Sequence, residues 1–452
     1  MLATRVLYAK FLNKGKLEQL KLQAKRLGVV RSMIWQEYGA LKGLGITDRA
    51  IRDLWISQKR DFKVLATPWK ETLRDCFNTI NLYKEAAKKS IHRAIFNHYK
   101  TDKERKEAFI KLKKDTWLSD SFLHRCMRKA FKHGKNKVYN QIIVRSDDYS
   151  VFELNSQSWL SIPSLIKGKR IKIPLNTTRQ FAPSGTLRLI IRNDILEIHH
   201  SYEKESKADC GDKTLGLDKG YSEVFVDSEG CFYGKGLGKF LTQESDFLKT
   251  KNQRRQKLLS LARKYQKLGK KSKASSILKN NLGRKKLNKH YSRQKSKLKT
   301  MIWTACHQVV DKAKSIVCED LTSSFSKKST SKNTNRRLNS WVKGTIASAL
   351  EFVSKCRGST LHLINPAYTS QCDSFCHNLL LGYRQGNCFY RENGEVVQAD
   401  YNAARNILAR YFDKEISRFT PHREVKVILL RRTDSYRLAT VSSKTSVAKS
   451  SQ

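Results

Sequence analysis

The sequence predicts a multi-domain α+β protein, and three patterns predict it. Apolar residues recur at helical spacing from about residue 15 to 135. Short alternating runs bounded by turn residues take over from about 136 to 208. Beyond about 209, apolar strands carrying a single carboxylate alternate with helical stretches. At 452 residues the chain has room for about two to four domains.

Composition narrows the partner. Lys and Arg total 90 against 40 Asp and Glu, a net charge of +50, well beyond what solubility needs. Such an excess implies a polyanion, and nucleic acid is the commonest. A membrane surface is the rival. Here, however, the charge runs along the whole chain instead of sitting on one amphipathic helix, and the sequence contains neither a run of about 20 apolar residues nor a signal peptide. The ten cysteines are scattered singly apart from Cys372, Cys376 and Cys388. Cys76, Cys126, Cys306 and Cys318 lie within apolar patterns and read as core thiols. The expected setting is a reducing, cytoplasmic (prokaryotic-type) interior.

In chain order, Met1–Ala9 reads as a strand that starts the fold. Leu17, Leu20, Leu22 and Leu27 begin the helical pattern. Thr47 and Asp48 open a helix carrying Ile51, Leu54 and Trp55. Thr101 and Glu104 form a capping box, each able to close the other's free amide. The clearest helix is Ser119–Lys132, with Gly134 stopping it. Its Arg125, Arg128, Lys129 and Lys132 make either a solvated face or one that follows phosphates; the net charge favours the second. Leu187–Arg192 and Ile195–His200 read as a hairpin about a two-residue Asn193-Asp194 turn. Pro174 makes the run around Ile171 and Ile173 an edge strand. These strands imply a small barrel. His199 and His200 are adjacent in a strand, so they face opposite ways and read as structural.

The central stretch is Thr214-Leu-Gly-Leu-Asp218-Lys-Gly, which reads as an apolar strand bearing one acid. A second strand and a Ser-Glu-Gly turn into Cys231–Tyr233 follow. A buried lone carboxylate is costly, so Asp218 needs a cation, a metal or water beside it; a turn aspartate capping the strand end beside Gly220 is the equal alternative. Two later acids shift that balance. Glu319 ends another apolar strand, and Asp400 opens a helix. Converging, the three would form a set of hard oxygen ligands suited to Mg²⁺ or Mn²⁺, in a pair roughly 3.5–4 Å apart, for in-line attack on a phosphodiester.

Between the first two acids, Lys249–Val310 contains no Asp or Glu. Leu258, Leu259, Ala262 and Tyr265 mark one helix, Leu268-Gly269 a break, and Leu282, Leu287, Tyr291, Leu298, Ile302 and Trp303 a second. A basic helical hairpin facing a nucleic-acid backbone fits. Thr322–Ser340 is a polar loop, either a lid over the acids or a plain linker. Val342, Ile346, Ala349, Leu350 and Val353 form an amphipathic helix, and Leu361–Ile364 the next strand, which implies a mixed sheet with helices packed on it. The Ser/Thr/Lys-rich tail, 435–452, is expected to be disordered.

Taken in order, Gly216-Leu-Asp218, Glu319, Asn365-Pro-Ala-Tyr-Thr-Ser-Gln371 and Asp400-Tyr-Asn-Ala-Ala-Arg-Asn-Ile resemble the RuvC-like nuclease half of the TnpB proteins of insertion sequences. Compact type V CRISPR effectors are their relatives. The specific resemblance covers roughly 210–412; the N-terminal half is similar only in layout. The resemblance implies an RNA-guided DNA endonuclease acting on double-stranded target DNA, with guide RNA and two Mg²⁺ ions as cofactors and Asp218, Glu319 and Asp400 as the catalytic, metal-binding acids. It implies an RNase H-like (RuvC) domain at 209–434, holding the basic hairpin at 245–312 and a zinc-ribbon-like insert at 366–399. A barrel (wedge) domain would comprise 1–14 and 136–208, and a helical recognition domain 15–135. Relatives carry two Cys-x-x-Cys pairs in the ribbon. This chain has Cys372, Cys376 and Cys388 only, and tetrahedral zinc needs four ligands; His377 is an awkward fourth. The alternatives are a ribbon held by packing alone, a nuclease-silent RNA-guided binder, and a transposase on the same fold. A structural RNA-packaging protein would not need the ordered acids. Monomer and dimer both stay open.

Overall fold

In the computed structural model, which describes residues 2–132, 134–176, 183–203, 209–321 and 343–449, the chain divides into two units, 2–204 and 205–452. Among the described residues, no helix is long and apolar enough to cross a membrane.

The first unit joins helices and strands around one core. Its strands are β1 (Leu2–Ala9), β2 (Gln141–Val144), β3 (Ser150–Leu154), β4 (Gln157–Pro163), β5 (Arg170–Asn176), β6 (Leu187–Arg192) and β7 (Ile195–Glu203). They form an antiparallel sheet of order β2-β6-β7-β1-β5-β4-β3. The strands of the expected barrel are thus present, although no β2–β3 pairing closes the sheet among the described residues. Asn193 and Asp194 make the expected two-residue turn, both at positive φ (50° and 65°), as a type I′ hairpin requires.

β5 corrects the edge-strand expectation, since it lies between β1 and β4. The reason is local. A residue's N–H and C=O point to the same side of its strand, and the Pro174 carbonyl accepts from Lys10 N (2.8 Å) just where β1 ends. The missing N–H therefore faces the end of a ladder and removes no pairing with β4.

The helices of this unit are α1 (Lys14–Tyr38), α2 (Asp48–Ser57), α3 (Ala66–Ser90), α4 (His92–His98), α5 (Asp102–Lys113) and α6 (Ser121–Ala130). In α1, Leu20 and Leu27 are buried while Leu22 is exposed. Thr47 caps α2 by accepting from Ala50 N, and Ile51 and Trp55 are buried, while Leu54 faces out. The Thr101–Glu104 capping box closes in both directions, at 3.1 and 3.3 Å. α6 is shorter than expected because Asp120 is its cap, accepting from Leu123 N at 3.0 Å, and Trp117–Ser119 form a separate 3₁₀ turn.

The second unit is built on a five-stranded sheet. β8 (Lys213–Asp218), β9 (Phe225–Asp227) and β10 (Phe232–Tyr233) run antiparallel, and β11 (Ala313–Glu319) lies parallel to both β8 and β12 (Thr360–Ile364). The order is β10-β9-β8-β11-β12. Between β10 and β11 the basic insertion forms α7 (Leu237–Lys267), α8 (Lys271–Ser276) and α9 (Lys285–Lys312). Gly269, at φ 71°, follows the first helix as expected. Glu244 pairs with His290 at 3.0 Å, and Phe247 packs on the same imidazole, fastening α7 to α9. Leu282 precedes the second long helix instead of lying in it, and Tyr291 is exposed.

α10 (Lys343–Arg357) links β11 to β12 and buries Ile346, Ala349, Leu350 and Val353. The polar loop 322–340, read as either a lid or a plain linker, lies outside the described residues, as does Val342. β13 (Gly382–Gln385), β14 (Cys388–Arg391) and β15 (Val396–Gln398) form a small antiparallel sheet inside the 366–399 insert. α11 (Ala399–Tyr411) and α12 (His422–Lys449) complete the unit.

α12 corrects the disordered-tail expectation of 435–452 over residues 435–449, because the helix runs through to Lys449; 450–452 lie outside the described residues. It is anchored from its first half. Val425 and Leu429 join a core with Ala367, Cys372 and Leu379, and Thr433 donates to Leu379 O at 2.8 Å. Arg432 forks onto Asp413 at 2.7 and 2.9 Å, and Arg437 pairs with Glu392 at 3.1 Å. Composition alone registers the polar tail but not the helix from which it grows.

Candidate active site

The sheet brings two of the three acids together by register. Leu217 pairs with Cys318, so Asp218 and Glu319 follow as the last residues of adjacent parallel strands. Strand ends of this kind are where open sheets with helices on them place ligands. The third acid arrives on a helix. α11 lies against β8 at Gly216, where an added Cβ would stand 2.3 Å from Ala404 O and 2.7 Å from Leu408 N. Only a residue without a side chain lets the helix backbone come so close. Asp400 sits in the first turn of that helix, where a carboxylate suits the helix dipole.

Each carboxylate is oriented. Thr369 donates its hydroxyl to Glu319 Oε1. Lys219, 7% exposed, donates its ammonium to the Glu319 main-chain carbonyl at 2.8 Å and so fixes the end of β11. Arg384 of β13 donates to Asp400 Oδ1 at 2.9 Å, and Gln398 Nε2 to Asp400 Oδ2 at 3.1 Å. The same Gln398 caps α11 by accepting from Tyr401 N at 2.6 Å.

The electrostatics record the convergence. Burial, then the charges of Glu319 and Asp400, hold the Asp218 carboxyl well above the usual range. Burial also raises Glu319, with the Thr369 hydroxyl and the Lys219 and Arg410 charges pulling the other way. Asp218 therefore answers to two other acids, which a turn-capping aspartate would not. All three acids remain partly accessible.

The two motif asparagines hold the neighbouring loop. Asn402 Nδ2 donates to Cys372 O at 2.8 Å, and its Oδ1 accepts from Ser374 N at 2.9 Å. Asn406 Nδ2 donates to Thr369 O at 3.0 Å and Cys372 O at 2.7 Å. Asn365 does the same for the next loop, donating to Ser417 O and Thr420 O. These amides fasten the Thr369 segment to α11, and thereby set the group that orients Glu319. Thr369, Asn402 and Asn406 lay inside strings legible in the sequence. Lys219 and Arg384 carried no signal there, because their roles depend on contacts across the fold.

Among the described residues, no group of three or more His, Cys, Asp or Glu side chains is gathered as for a metal ion. Thr369 donates to one Glu319 oxygen, and Arg384 and Gln398 donate to the two Asp400 oxygens. The acids' donor chemistry nonetheless fits a hard divalent cation, since mutual repulsion of buried carboxylates is what such an ion relieves. The cysteines of the insert number three, one short of the four ligands that tetrahedral zinc takes. Cys372 is 1% exposed, and burial pushes its thiol up to about 12. Burial also raises the nearby Cys376. Cys388 sits on β14 opposite Gln385 and Gln398, and His377 Nδ1 meets Asn406 Oδ1 at 2.8 Å, which leaves the role of Nε2 unassigned. The insert carries the small antiparallel sheet β13–β15, which leads directly into α11.

Residues 344–407, from α10 into α11, match the family described as Cas12f1-like, TNB domain. This is the compact type V relationship that the Thr-Ser-Gln and Asp-x-Asn strings imply. No curated protein matches the chain. Three solved structures are similar over most of their length. A Cas12f1–sgRNA–target DNA complex shares 16% identity, over 92% of this chain and 99% of that one, with a TM-score of 0.43. The mini-RNA-guided endonuclease CRISPR-Cas_phi3 shares 12%, over 91% and 92%, at 0.48. CasPhi-2 (Cas12j) bound to crRNA and phosphorothioate-DNA shares 8%, over 90% and 91%, at 0.49.

Proposed function

We propose that the chain is an RNA-guided DNA endonuclease that hydrolyses phosphodiesters of a target DNA paired to a guide RNA. What supports the reading is one arrangement: Asp218 and Glu319 end adjacent parallel strands, and α11, which carries Asp400 in its first turn, packs on the first of those strands at Gly216. In this reading residues 205–452 are the RNase H-like nuclease half, and the helices and strands of 2–204 serve as recognition and wedge elements.

The three acids would hold the Mg²⁺ ions. Bound there, such ions supply an activated water and a stabilised leaving oxygen. The chain's own residues prepare the site. Lys219 fixes the end of β11, Thr369 and Gln398 aim Glu319 and Asp400, and the Arg384 guanidinium partly offsets the repulsion at Asp218. The basic α7–α9 hairpin, free of acids from Lys249 to Val310, would follow the backbone of the guide–target duplex, since sequence is read by base pairing and the protein holds shape.

The test is cleavage of a guide-matched duplex in Mg²⁺ by wild-type protein and by Asp218→Ala, Glu319→Ala and Asp400→Ala. Each variant should lose cleavage while keeping guide and target binding. Mg²⁺-dependent cutting retained by one variant removes that residue from the catalytic set. Guided binding by wild-type protein without cutting leaves a silent binder, and strand joining leaves a transposase.

A further inference from the structure

We propose that the outer face of β3, β4 and β5 is a stacking platform for unpaired bases of the RNA guide. The proposal rests on the guided-nuclease reading for the identity of the RNA, but on this face alone for the site. The pleat turns Leu160, Ile162, Ile171, Ile173 and Leu175 inward, where they are buried. The opposite face carries a row across three strands: Phe152 pairs with Trp159, and Trp159 with Pro174. The two rings lie nearly parallel, at 16°, with centroids 6.3 Å apart. Both are partly exposed.

Cations already lie over this row. Lys172 Nζ is 5.7 Å from the Phe152 centroid, and Lys16 Nζ is 5.5 Å from that of Trp159. Lys16 is steadied by the Lys172 carbonyl at 2.8 Å, and Lys10 reaches Gln157 at the same edge at 3.2 Å. Flat π faces with mobile ammonium groups lying over them match a single strand, whose bases stack on aromatics and whose phosphates take the charge. A phosphate draws each lysine off its ring, and a base takes the vacated face. A duplex does not fit, because its bases are stacked on one another already. A second copy of this chain, at +50, would have to bring further positive charge onto a positive face.

The experiment uses full-length protein and a short oligouridylate carrying 4-thiouridine, irradiated at low salt and at roughly 0.5 M salt, with peptide mapping and binding by anisotropy. Crosslinks are expected in the peptides containing Phe152 and Trp159, persisting at high salt. Trp159→Ala should weaken binding about ten-fold at both salt concentrations. Lys16→Gln and Lys172→Gln should instead flatten the salt dependence. Trp159→Phe keeps a ring, should bind nearly as wild type, and guards against misfolding of the alanine variant. Crosslinks only elsewhere, equal affinity of Trp159→Ala, tighter binding of oligodeoxythymidylate, or a dimer that Trp159→Ala abolishes would each overturn the platform. RNA-guided cutting that survives such a result leaves the nuclease reading intact. A Trp159-dependent RNA site in a protein that cuts nothing overturns that reading and not this one.

Discussion

Replacing Gly216 with Ala probes how the third acid is held in place. The new Cβ would stand 2.3 Å from the Ala404 carbonyl oxygen, whereas ordinary contact begins near 3.4 Å. The three atoms in its way are Ala404 O, Leu408 N and Leu408 Cβ, all fixed by the backbone of α11, so no side-chain rotation relieves the clash. The helix must retreat by about 1 Å, the difference between those distances. Overpacking of this kind costs on the order of 1–3 kcal/mol, and each kcal/mol lowers the melting temperature of a unit this size by about 2–4 °C. Because Asp400 rides on the same helix, its carboxylate moves away from Asp218 and Glu319. A misplacement of about 1 Å in a catalytic constellation costs on the order of 100-fold in rate. Single-turnover cleavage of a guide-matched duplex, with thermal melting and guide-RNA binding in parallel, reads all three effects. The expected outcome is a lower melting temperature, cleavage reduced about 100-fold and unchanged guide binding. Wild-type cleavage with an unchanged melt would show that α11 does not seat on β8 at Gly216.

Two further outcomes follow from the same site. In EDTA, stability should fall as pH rises above the ordinary carboxylate range. Asp218 and Glu319 have raised pKa values in the folded state, so the folded protein holds protons that the unfolded chain has released, and each pH unit in that window costs about 1.4 kcal/mol per titrating group. Asp218→Asn should flatten this slope and raise the melting temperature at neutral pH, and an unaltered slope would mean that Asp218 is not held in a repulsive cluster. Native mass spectrometry should find less than about half an equivalent of zinc per chain, because the three cysteines of the insert do not gather into the four-ligand set that zinc needs; a full equivalent would show that Cys372 and Cys388 come together in solution.

Much of this molecule could be read along the chain. Capping at Thr47 and Thr101, the Asn193-Asp194 turn and the Gly269 break are local, set by which side chain reaches which neighbouring amide or by which residue tolerates positive φ. Asp218 and Glu319 were legible because a charge in an apolar strand is conspicuous, and Asp400 because it opens the Asp-Tyr-Asn-Ala-Ala-Arg-Asn-Ile string. Pro174 shows the limit. Its missing N–H was plain, but which neighbour that N–H would have faced depends on where β1 ends, more than 160 residues earlier in sequence. The tail was misread for a related reason, since the contacts that anchor α12 come from Cys372–Leu379, Asp413 and Glu392.

The sequence by itself determined the charge, the identity and order of the acids, and the residue types needed at turns and caps, all of which are properties of short stretches. The tertiary structure alone decided that Asp218 and Glu319 share a strand end, that a glycine lets a helix backbone deliver Asp400, and that Thr369, Lys219 and Arg384 orient the cluster. Those are distances between segments remote in the chain. They are fixed by strand register and close packing, which no local pattern encodes.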